Sequence, residues 1–184
     1  IPNPLVVVTC NTDTDPASIV AATGDITDGY PFVLINGIPT AVTDQLCNIV
    51  CTFTDQILDA CGPHCHGNKK VIRTWQFIDW CEGIISLPVT QLIKSADLEG
   101  PTFILKDTTV TTSPWYCAAD FDLPRPWELH DNCDINPTYY VSGPGIVQIT
   151  GNPVDGYRAK GAPKGTHVFC YTASDCCGNI TTLC

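Results

Sequence analysis

The alternation of side chains in residues 71–88, VIRTWQFIDWCEGIISLP, constrains the fold more than any other feature. Two sets of residues alternate and therefore face opposite sides of an extended chain: Ile72, Thr74, Gln76 and Ile78 on one side, and Arg73, Trp75 and Phe77 on the other. Aromatic and β-branched residues at period two predict a half-buried β-strand. Residues 79–83 interrupt the run before residues 84–87 begin another. The stretch therefore predicts a strand, a tight turn containing Cys81 and a return strand.

The same pattern occurs again near residue 175. An offset of 96 residues aligns three pairs: Asp79 with Asp175, Cys81 with Cys177, and Trp75 with Tyr171. Residues 4–9 align with residues 101–106 at an offset of 97. Two copies of a unit of about 95 residues are the simplest explanation. We predict two modules, residues 1–98 with an extended, exposed leader at residues 1–9, and residues 99–184.

Short β-prone segments separated by Gly, Pro and Asn fill both modules. Residues 18–22, 30–35 and 48–53 are predicted strands in module one, and Asn36-Gly37 predicts a hairpin turn. The predicted strands of module two are residues 102–105, 108–112, 116–121, 139–142, 145–150 and 166–172. No segment longer than about one turn shows a helical period with caps. This spacing predicts an all-β chain of two tandem antiparallel sandwiches.

Cysteine content indicates disulfide-stabilised modules. The twelve cysteines divide six and six between the modules: Cys10, Cys47, Cys51, Cys61, Cys65 and Cys81, then Cys117, Cys133, Cys170, Cys176, Cys177 and Cys184. We expect all twelve to form disulfides, each of which typically contributes about 2–4 kcal/mol. Such usage predicts an oxidising compartment and a secreted or cell-surface protein. The start at Ile1 without any Met is expected for a processed or partial chain.

Charge excludes two classes of partner. The net charge is −10, with only 9 Lys and Arg residues. Nucleic acids and anionic membrane surfaces both require clustered basic residues. No apolar run approaches the roughly 20 residues of a membrane-spanning helix. We therefore expect neither nucleic-acid binding nor a membrane span.

The repeated motif resembles a known family. Residues 171–179, YTASDCCGN, are similar to the phrase that ends a strand in hyalin-repeat-like, immunoglobulin-like modules of large surface adhesins and gliding-associated proteins. Residues 73–83 are a looser version, residues 130–133, HDNC, resemble the mid-module motif, and residues 43–47 are its degraded counterpart. The resemblance implies immunoglobulin-like β-sandwiches that serve as spacers, adhesive stalks or assembly units. It implies no catalytic residues, so we predict that the protein is not an enzyme.

The resemblance leaves two disulfide arrangements open. In the family, one Cys often follows the first proline and pairs near the start of the last strand. Cys10 fits the first position and Cys184 the second, so these two residues could join successive subunits. Bonds within modules are favoured by the even count in each module, and Cys117–Cys133 and Cys10–Cys47 are then the predicted pairs.

The ends of the two modules differ. The turn at residues 79–83 is followed by about ten β-prone residues, whereas only residues 180–184 follow the equivalent turn in module two. Module two is therefore predicted to lack most of its last strand and to expose an unpaired edge. The leader residues Leu5, Val6, Val7 and Val8 could fill that edge in a neighbouring copy, giving a linear filament. Alternatively, the chain has been cut, or the leader is a strand of its own module.

Several residues were weighed for metal sites. Cys61, His64, Cys65 and His66 include zinc ligands, but their spacing favours a disulfide in a loop with histidines. Residues 131–136, DNCDIN, resemble a calcium loop only loosely, and a turn-forming cluster is the favoured interpretation. No cofactor is predicted, with calcium as the open possibility.

Binding to sugars and modification by sugars were also considered. Asn179 lies in the one acceptable Asn-x-Ser/Thr sequence and is the predicted glycosylation site. A different function would be recognition of a carbohydrate or receptor through loops 59–68 and 152–165. In that case Trp115 or Trp127 would be required for binding.

Overall fold

The computed structural model describes residues 1–42, 49–59, 61 and 68–184. Most of the described chain in regular structure is β-strand, as predicted, with two short helices in the N-terminal part. The chain divides into two compact units, Ile1–Asp97 (unit 1) and Leu98–Cys184 (unit 2). The mostly β class is confirmed, while immunoglobulin-like sandwiches remain a prediction.

Unit 1 is built on one five-stranded sheet. Its elements are β1 (Leu5–Thr9), α1 (Pro16–Thr23), α2 (Ile26–Gly29), β2 (Phe32–Ile35), β3 (Ile38–Ala41), β4 (Ile49–Asp59), β5 (Lys69–Asp79), β6 (Ile84–Ile85) and β7 (Val89–Ala96). The strand order is β1-β7-β5-β4, and β6 also pairs with β5. Strands β2 and β3 form a separate hairpin, in which Asn36 and Gly37 have φ values of 53° and 81°. These positive angles confirm the predicted Asn-Gly turn.

Strand β5 confirms the alternation from which the sequence analysis began. Val71, Arg73 and Trp75 are buried on one face, and the residues between them are more exposed. Strand β5 ends at Asp79, whose Oδ1 accepts hydrogen bonds from the backbone N–H groups of Cys81 and Glu82. The turn therefore forms where the Asx side chain can satisfy the backbone.

The N-terminal leader is a strand of unit 1, which differs from the predicted exposed extension. Strand β1 pairs in parallel with β7, with Leu5 opposite Leu92 and Thr9 opposite Ala96. Val6 is only 3% exposed and Val8 only 7% exposed, because both pack into the core of the unit. The apolar alternation is thus satisfied within the same chain, one of the alternatives that the sequence left open.

Helix α1 replaces the strand predicted for residues 18–22, and that prediction was wrong. Asp15 caps the helix by accepting hydrogen bonds from the N–H groups of Ala17 and Ser18. Pro16 occupies the first turn, and Gly24 ends the helix with a φ of 75°. Proline at the start and a left-handed glycine at the end are the standard helix signals, and they override weak β propensity here.

Unit 2 contains three small sheets. Its strands are β8 (Thr102–Ile104), β9 (Ala118–Asp122), β10 (Trp127–His130), β11 (Thr138–Ser142), β12 (Gln148–Asn152), β13 (Gly156–Pro163), β14 (Cys170–Ser174) and β15 (Ile180–Leu183). The sheet orders are β10-β8, β11-β14-β15 and β12-β13-β9. Their shared core includes Phe103, Leu123, Tyr139, Val141 and Tyr171.

Two predicted strands of unit 2 are missing or shortened. Residues 108–112 form no strand, and the strand predicted for residues 166–172 begins only at Cys170. Both stretches have strong β-forming residues, so local propensity is not the cause. A strand needs a neighbour to satisfy its backbone, and these stretches find none in the described chain.

Candidate binding groove

The last strands of the two units differ in length and register. In unit 1, β7 pairs with β5 from Lys69 to Trp75, whose partner is Val89. In unit 2, Tyr171 pairs with Leu183, and the ladder between β14 and β15 covers only four residue pairs. Trp75 and Tyr171 are equivalent in the repeat, so Leu183 corresponds to Val89, the first residue of β7. Strand β15 therefore ends at the position where β7 begins. Residues 166–169 therefore lack the partner that β7 provides in unit 1.

The strand on the other side also differs. In unit 1, β7 lies between β5 and β1. Strand β8 is the counterpart of β1 in the repeat, but it pairs with β10 instead. Residues 166–169 and residues 102–106 are the counterparts of residues 70–73 and of β1, so they are the two segments that would flank a strand in the place of β7.

A groove of about 1250 Å³ opens between these two segments. One wall is formed by residues 104–112 and the other by residues 162–169. The floor includes Leu123, Ala162 and Tyr171 from the buried core, together with Phe121 and Phe169, which pack against it. The groove therefore gives direct access to the apolar core of unit 2.

Most of each wall lies outside the sheets, since only Ile104 of β8 and residues 162–163 of β13 belong to paired strands. No backbone hydrogen bond joins residues 166–169 or residues 106–112 to another segment within the described part of the chain. Residues 166–169 nevertheless alternate as a strand does: His167 and Phe169 are half-buried, and Thr166 and Val168 are exposed. An extended, unpaired segment beside open core is the kind of edge to which another strand adds.

The groove has a basic rim. Lys106, Arg125 and Lys164 line it, with Asp107 as the acidic residue among the charged lining side chains. The Lys106 ammonium lies 4.4 Å from the ring centre of Trp127. Three of the chain's nine basic residues therefore surround one opening in a chain whose net charge is −10.

Tyr171 forms the polar end of the groove floor. Its hydroxyl donates a hydrogen bond to the Pro124 carbonyl at 2.9 Å, and its ring stacks on Tyr139. Burial, with a smaller contribution from Tyr139, raises the pKa of Tyr171 to about 12. The phenol is therefore neutral at physiological pH and acts as a hydrogen-bond donor.

A set of polar contacts holds the leader in unit 1. The Gln91 amide donates to the carbonyls of Asn3 and Asp28, and its oxygen accepts from Trp75 Nε1. The Asn3 side chain in turn donates to Thr27 Oγ1 and the Asp28 carboxylate. These bonds are local to the start of β1 and fix where the leader begins to run beside β7.

The cysteines only partly follow the prediction. Cys170 and Cys184 form a disulfide within unit 2, so the proposed subunit-joining role of Cys184 is wrong. The other described cysteines in disulfides are Cys10, Cys61, Cys133, Cys176 and Cys177. Cys51, Cys81 and Cys117 are free thiols, which corrects the expectation that all twelve are bonded and excludes the Cys117–Cys133 pair. Cys47 and Cys65 lie outside the described residues.

Within the described residues, the three free thiols lie in different surroundings. Cys51 lies on β4, and burial raises the pKa of its thiol to about 11. A thiol with a raised pKa is almost wholly protonated at neutral pH. Cys81 and Cys117 are exposed on turns.

Three of the four carboxylate oxygens of Asp131 and Asp134 accept backbone hydrogen bonds, and Asp131 Oδ2 is buried without a partner among the described residues. Asp131 Oδ1 accepts from the N–H groups of Cys133 and Asp134, and Asp134 accepts from Asn136 and Cys176. These hydrogen bonds form turns as predicted, and calcium binding at residues 131–136 remains an untested prediction. For the cysteine-histidine cluster, Cys61 is in a disulfide, and His64, Cys65 and His66 lie outside the described residues.

The predicted glycan site is engaged in a side-chain contact. Asn179 Nδ2, the atom that would carry the sugar, donates to Asp175 Oδ2 at 2.7 Å. The residue is half-buried beside the repeated turn. Glycosylation at Asn179 remains a prediction, and a sugar there would replace this hydrogen bond.

Large exposed aromatic side chains lie on a turn that follows one groove wall. Trp115 is 87% exposed and Tyr116 is 83% exposed, next to Cys117 with a φ of 51°. Trp127, also weighed in the sequence analysis, is 56% exposed and lines the groove. Loop 59–68 falls largely outside the described residues.

The groove walls were the part of the site that the sequence analysis missed. The shortened last strand indicated an open edge, but residues 108–112 and 166–169 were predicted as paired strands. Repeat register could have identified residues 166–169, since their counterparts in β5 need β7 as a partner.

Comparisons with known proteins gave no assignment. No family model matches the chain, and no curated protein matches it. Within the described residues, no helix combines the length and apolar character required to cross a lipid bilayer. The disulfides are consistent with an extracellular or secreted protein.

Proposed function

We propose that this chain is a non-enzymatic extracellular structural protein whose copies join head-to-tail into a linear filament. Residues 1–10 of one copy would be donated as a β-strand to the groove of unit 2 in the next copy. The modules are immunoglobulin-like sandwiches of the hyalin-repeat-like type in this proposal.

The observation that supports it is the groove in unit 2 at the position that β7 occupies in unit 1. A folded domain rarely leaves core residues such as Leu123 and Tyr171, and the partly buried Phe121 and Phe169 that pack against them, beside an opening of about 1250 Å³. A strand in that opening would bury apolar side chains and satisfy the unpaired backbone of both walls at once. Copies of the same chain would then provide both donor and acceptor.

Strand β1 is suited to be the donor. It lies at the edge of its sheet, and β7 is its one partner among the described strands. Its alternation places Val6 and Val8 on one side and Leu5 and Val7 on the other. Donation requires β1 to leave its own unit, so assembly transfers a terminal strand from unit 1 of one copy to unit 2 of the next. Because donor and acceptor lie in different units, the contact is head-to-tail, and it yields a filament when the rotation between copies does not close into a ring.

Locking β1 in its own unit tests the donor. Val7 and Lys94 are register partners in the parallel pair of β1 and β7, and Val7 is exposed. Neighbouring strands bring Cα atoms to about 5 Å, which suits a disulfide. The V7C/K94C chain should stay dispersed in negative-stain images under conditions where the native chain forms fibres. Deleting residues 1–9 is a weaker test, because it removes Val6 and Val8 from the core of unit 1.

The V7S/K94S chain is the matched control, since it carries the same two changes without the crosslink. It should form fibres as the native chain does. Fibres of equal amount from the crosslinked chain would show that residues 1–10 are not donated. A native chain that stays dispersed at every concentration would contradict the filament itself.

The exposed aromatic residues favour a second function, an adhesive module that binds a carbohydrate or receptor. Exposed Trp and Tyr side chains stack on sugar rings and are enriched in binding sites. A glycan-array signal lost in both W115A and W127A, in chains that remain folded, would support this function. The same signal in the native chain and both variants would exclude these residues as the binding site.

A further inference from the structure

We infer that residues 166–169 are the acceptor edge of the groove, and that the strand they receive is Leu5–Thr9 of a second copy, running antiparallel to them. This inference rests on the proposed function and specifies its partner and pairing. It is tested below in a way that does not depend on fibres.

The direction of the backbone groups identifies the edge. The N–H of Asp175 donates to the Asn179 carbonyl, so at this residue the backbone points toward β15. The Cys170 carbonyl instead accepts from the Ser142 side chain on the β11 side. Backbone groups alternate in direction along a strand. The backbone N–H and C=O groups of His167 and Phe169 therefore point into the groove, and the N–H of Val168 points to the other side.

Unit 1 shows what such an edge receives. The counterparts of His167 and Phe169, at the offset of 96, are Val71 and Arg73 of β5. Both pair there with β7, Val71 with Ile93 and Arg73 with Gln91, in antiparallel register. An antiparallel strand beside residues 166–169 therefore reproduces a pairing that the same repeat already makes.

The donor's side chains fit the groove floor. Val6 and Val8 are two residues apart and face one side of β1, where they already pack into a core. In unit 2 they would meet Phe121, Phe169 and Ala162, which are apolar residues of the floor and wall. Leu5 and Val7 would stay on the outer side, as they are now.

Charge complementarity favours a second copy over an unrelated strand. The first basic residue of the chain is Lys69, whereas seven Asp residues precede it. The donor segment is followed by Asp13 and Asp15, and residues 1–15 contain no Lys or Arg. The groove rim provides Lys106, Arg125 and Lys164. Strand addition is therefore expected to be faster at low salt than at high salt.

The test measures binding of a labelled peptide with the sequence of residues 3–12, with Ser in place of Cys10, to the V7C/K94C chain. That chain keeps the groove and cannot donate its own β1. We expect saturable binding by fluorescence anisotropy and slowed amide exchange at His167 and Phe169, whose N–H groups point into the groove, but not at Val168. A peptide with the same composition in scrambled order is the control for non-specific apolar binding.

Proline substitutions then locate the edge. H167P removes an N–H that points into the groove, so the peptide affinity should fall roughly tenfold or more. V168P makes the same change where the N–H points away, and H167A removes only the imidazole and its bond to the Pro163 carbonyl. Both should bind within about twofold of the parent.

The outcomes distinguish the pairing of Leu5–Thr9 with residues 166–169 from the formation of a filament. The acceptor assignment would be overturned if H167P left the peptide affinity unchanged. It would also be overturned if V168P lowered the peptide affinity as much as H167P does. Binding of the scrambled peptide with equal affinity would overturn the assignment of Leu5–Thr9. Peptide binding with the expected variant pattern, in a protein that never forms fibres, would keep this inference and reject the filament.

Discussion

Arg73 in unit 1 and Phe169 in unit 2 occupy the same place in the repeat and have opposite environments. Arg73 is charged and only 1% exposed, whereas Phe169 is apolar and only half-buried at the groove. The difference lies in the covering strand, since β7 pairs along β5 at Arg73 and no strand pairs along residues 166–169. Burial at this position is therefore set by the neighbouring strand rather than by the polarity of the residue.

The buried charge in unit 1 is compensated by specific partners. The Arg73 guanidinium forms a two-point contact with the Asp55 carboxylate at 2.8 Å and donates to the Thr14 carbonyl. It also lies 4.2 Å from the ring centre of Phe53. A buried charged side chain of this kind is stable only while its partners and the residues that shield it from water stay in place. Unit 1 is thus built as a closed structure, and unit 2 is open at the equivalent place.

The largest expected effect is that of Arg73→Ala. The substitution leaves the Asp55 carboxylate without its ion-pair partner and removes a side chain that is only 1% exposed. We expect the free energy of unfolding of unit 1 to fall by about 3–5 kcal/mol, measured by urea denaturation. Phe169→Ala in unit 2 should cost clearly less, because that side chain is already half-exposed. Equal losses of unfolding free energy in the two variants would contradict the claim that a strand covers this position in unit 1 but not in unit 2.

Next in size is the disulfide that holds the short last strand of unit 2. The bond joins Cys170 to Cys184 over a sequence separation of 14. A loop of this length implies a contribution of about 3 kcal/mol. The C170S/C184S chain should therefore lose about that amount in unit 2, with unit 1 unchanged. Amide exchange measured residue by residue would show where stability is lost. Faster exchange in unit 1 would contradict this prediction.

A smaller effect tests how β1 closes unit 1. Val6→Ala removes buried apolar atoms next to β7, and we expect a loss of about 2 kcal/mol in unfolding free energy. Val7→Ala alters the exposed side of the same strand and should cost less than about 0.5 kcal/mol. Thermal unfolding of both variants gives the comparison. Similar losses would mean that β1 is not seated as the structure shows.

The smallest effect concerns Tyr171, the counterpart of Trp75. Tyr171→Phe removes the hydrogen bond to the Pro124 carbonyl and should cost about 1 kcal/mol. Since burial raises the pKa of Tyr171 to about 12, against about 10 for a free tyrosine, its contribution is complete below pH 10. It is lost as the pH rises from about 10 toward 12, because the unfolded phenol ionises first. Stability measured across this range should fall less in the phenylalanine variant.

Local patterns predicted the parts of the fold that depend on neighbouring residues. The alternation in β5, the turn after Asp79 and the Asn36-Gly37 hairpin each rest on a few adjacent side chains. The caps of α1 were also present as Asp15 and Gly24, but the helix is short and its apolar residues suit a strand equally well.

Features set by distant partners could not be predicted. The burial of Val6 and Val8 depends on pairing with β7, more than 80 residues away in the chain. Residues 108–112 and 166–169 have the composition of strands, but the sequence does not show that they lack a partner. The prediction of an open edge was therefore possible from the repeat, whereas the groove itself required the fold.

Amide hydrogen exchange of residues 70–73 and 166–169, in dispersed and in assembled chains, tests the central claim most directly. The account predicts slow exchange at residues 70–73 in both states, because β7 covers them. His167 and Phe169 should exchange rapidly in dispersed chains and become slow on assembly, because their N–H groups point into the groove. Protection of these two amides in dispersed chains, or rapid exchange at both in the assembly, would contradict the claim that another copy completes unit 2.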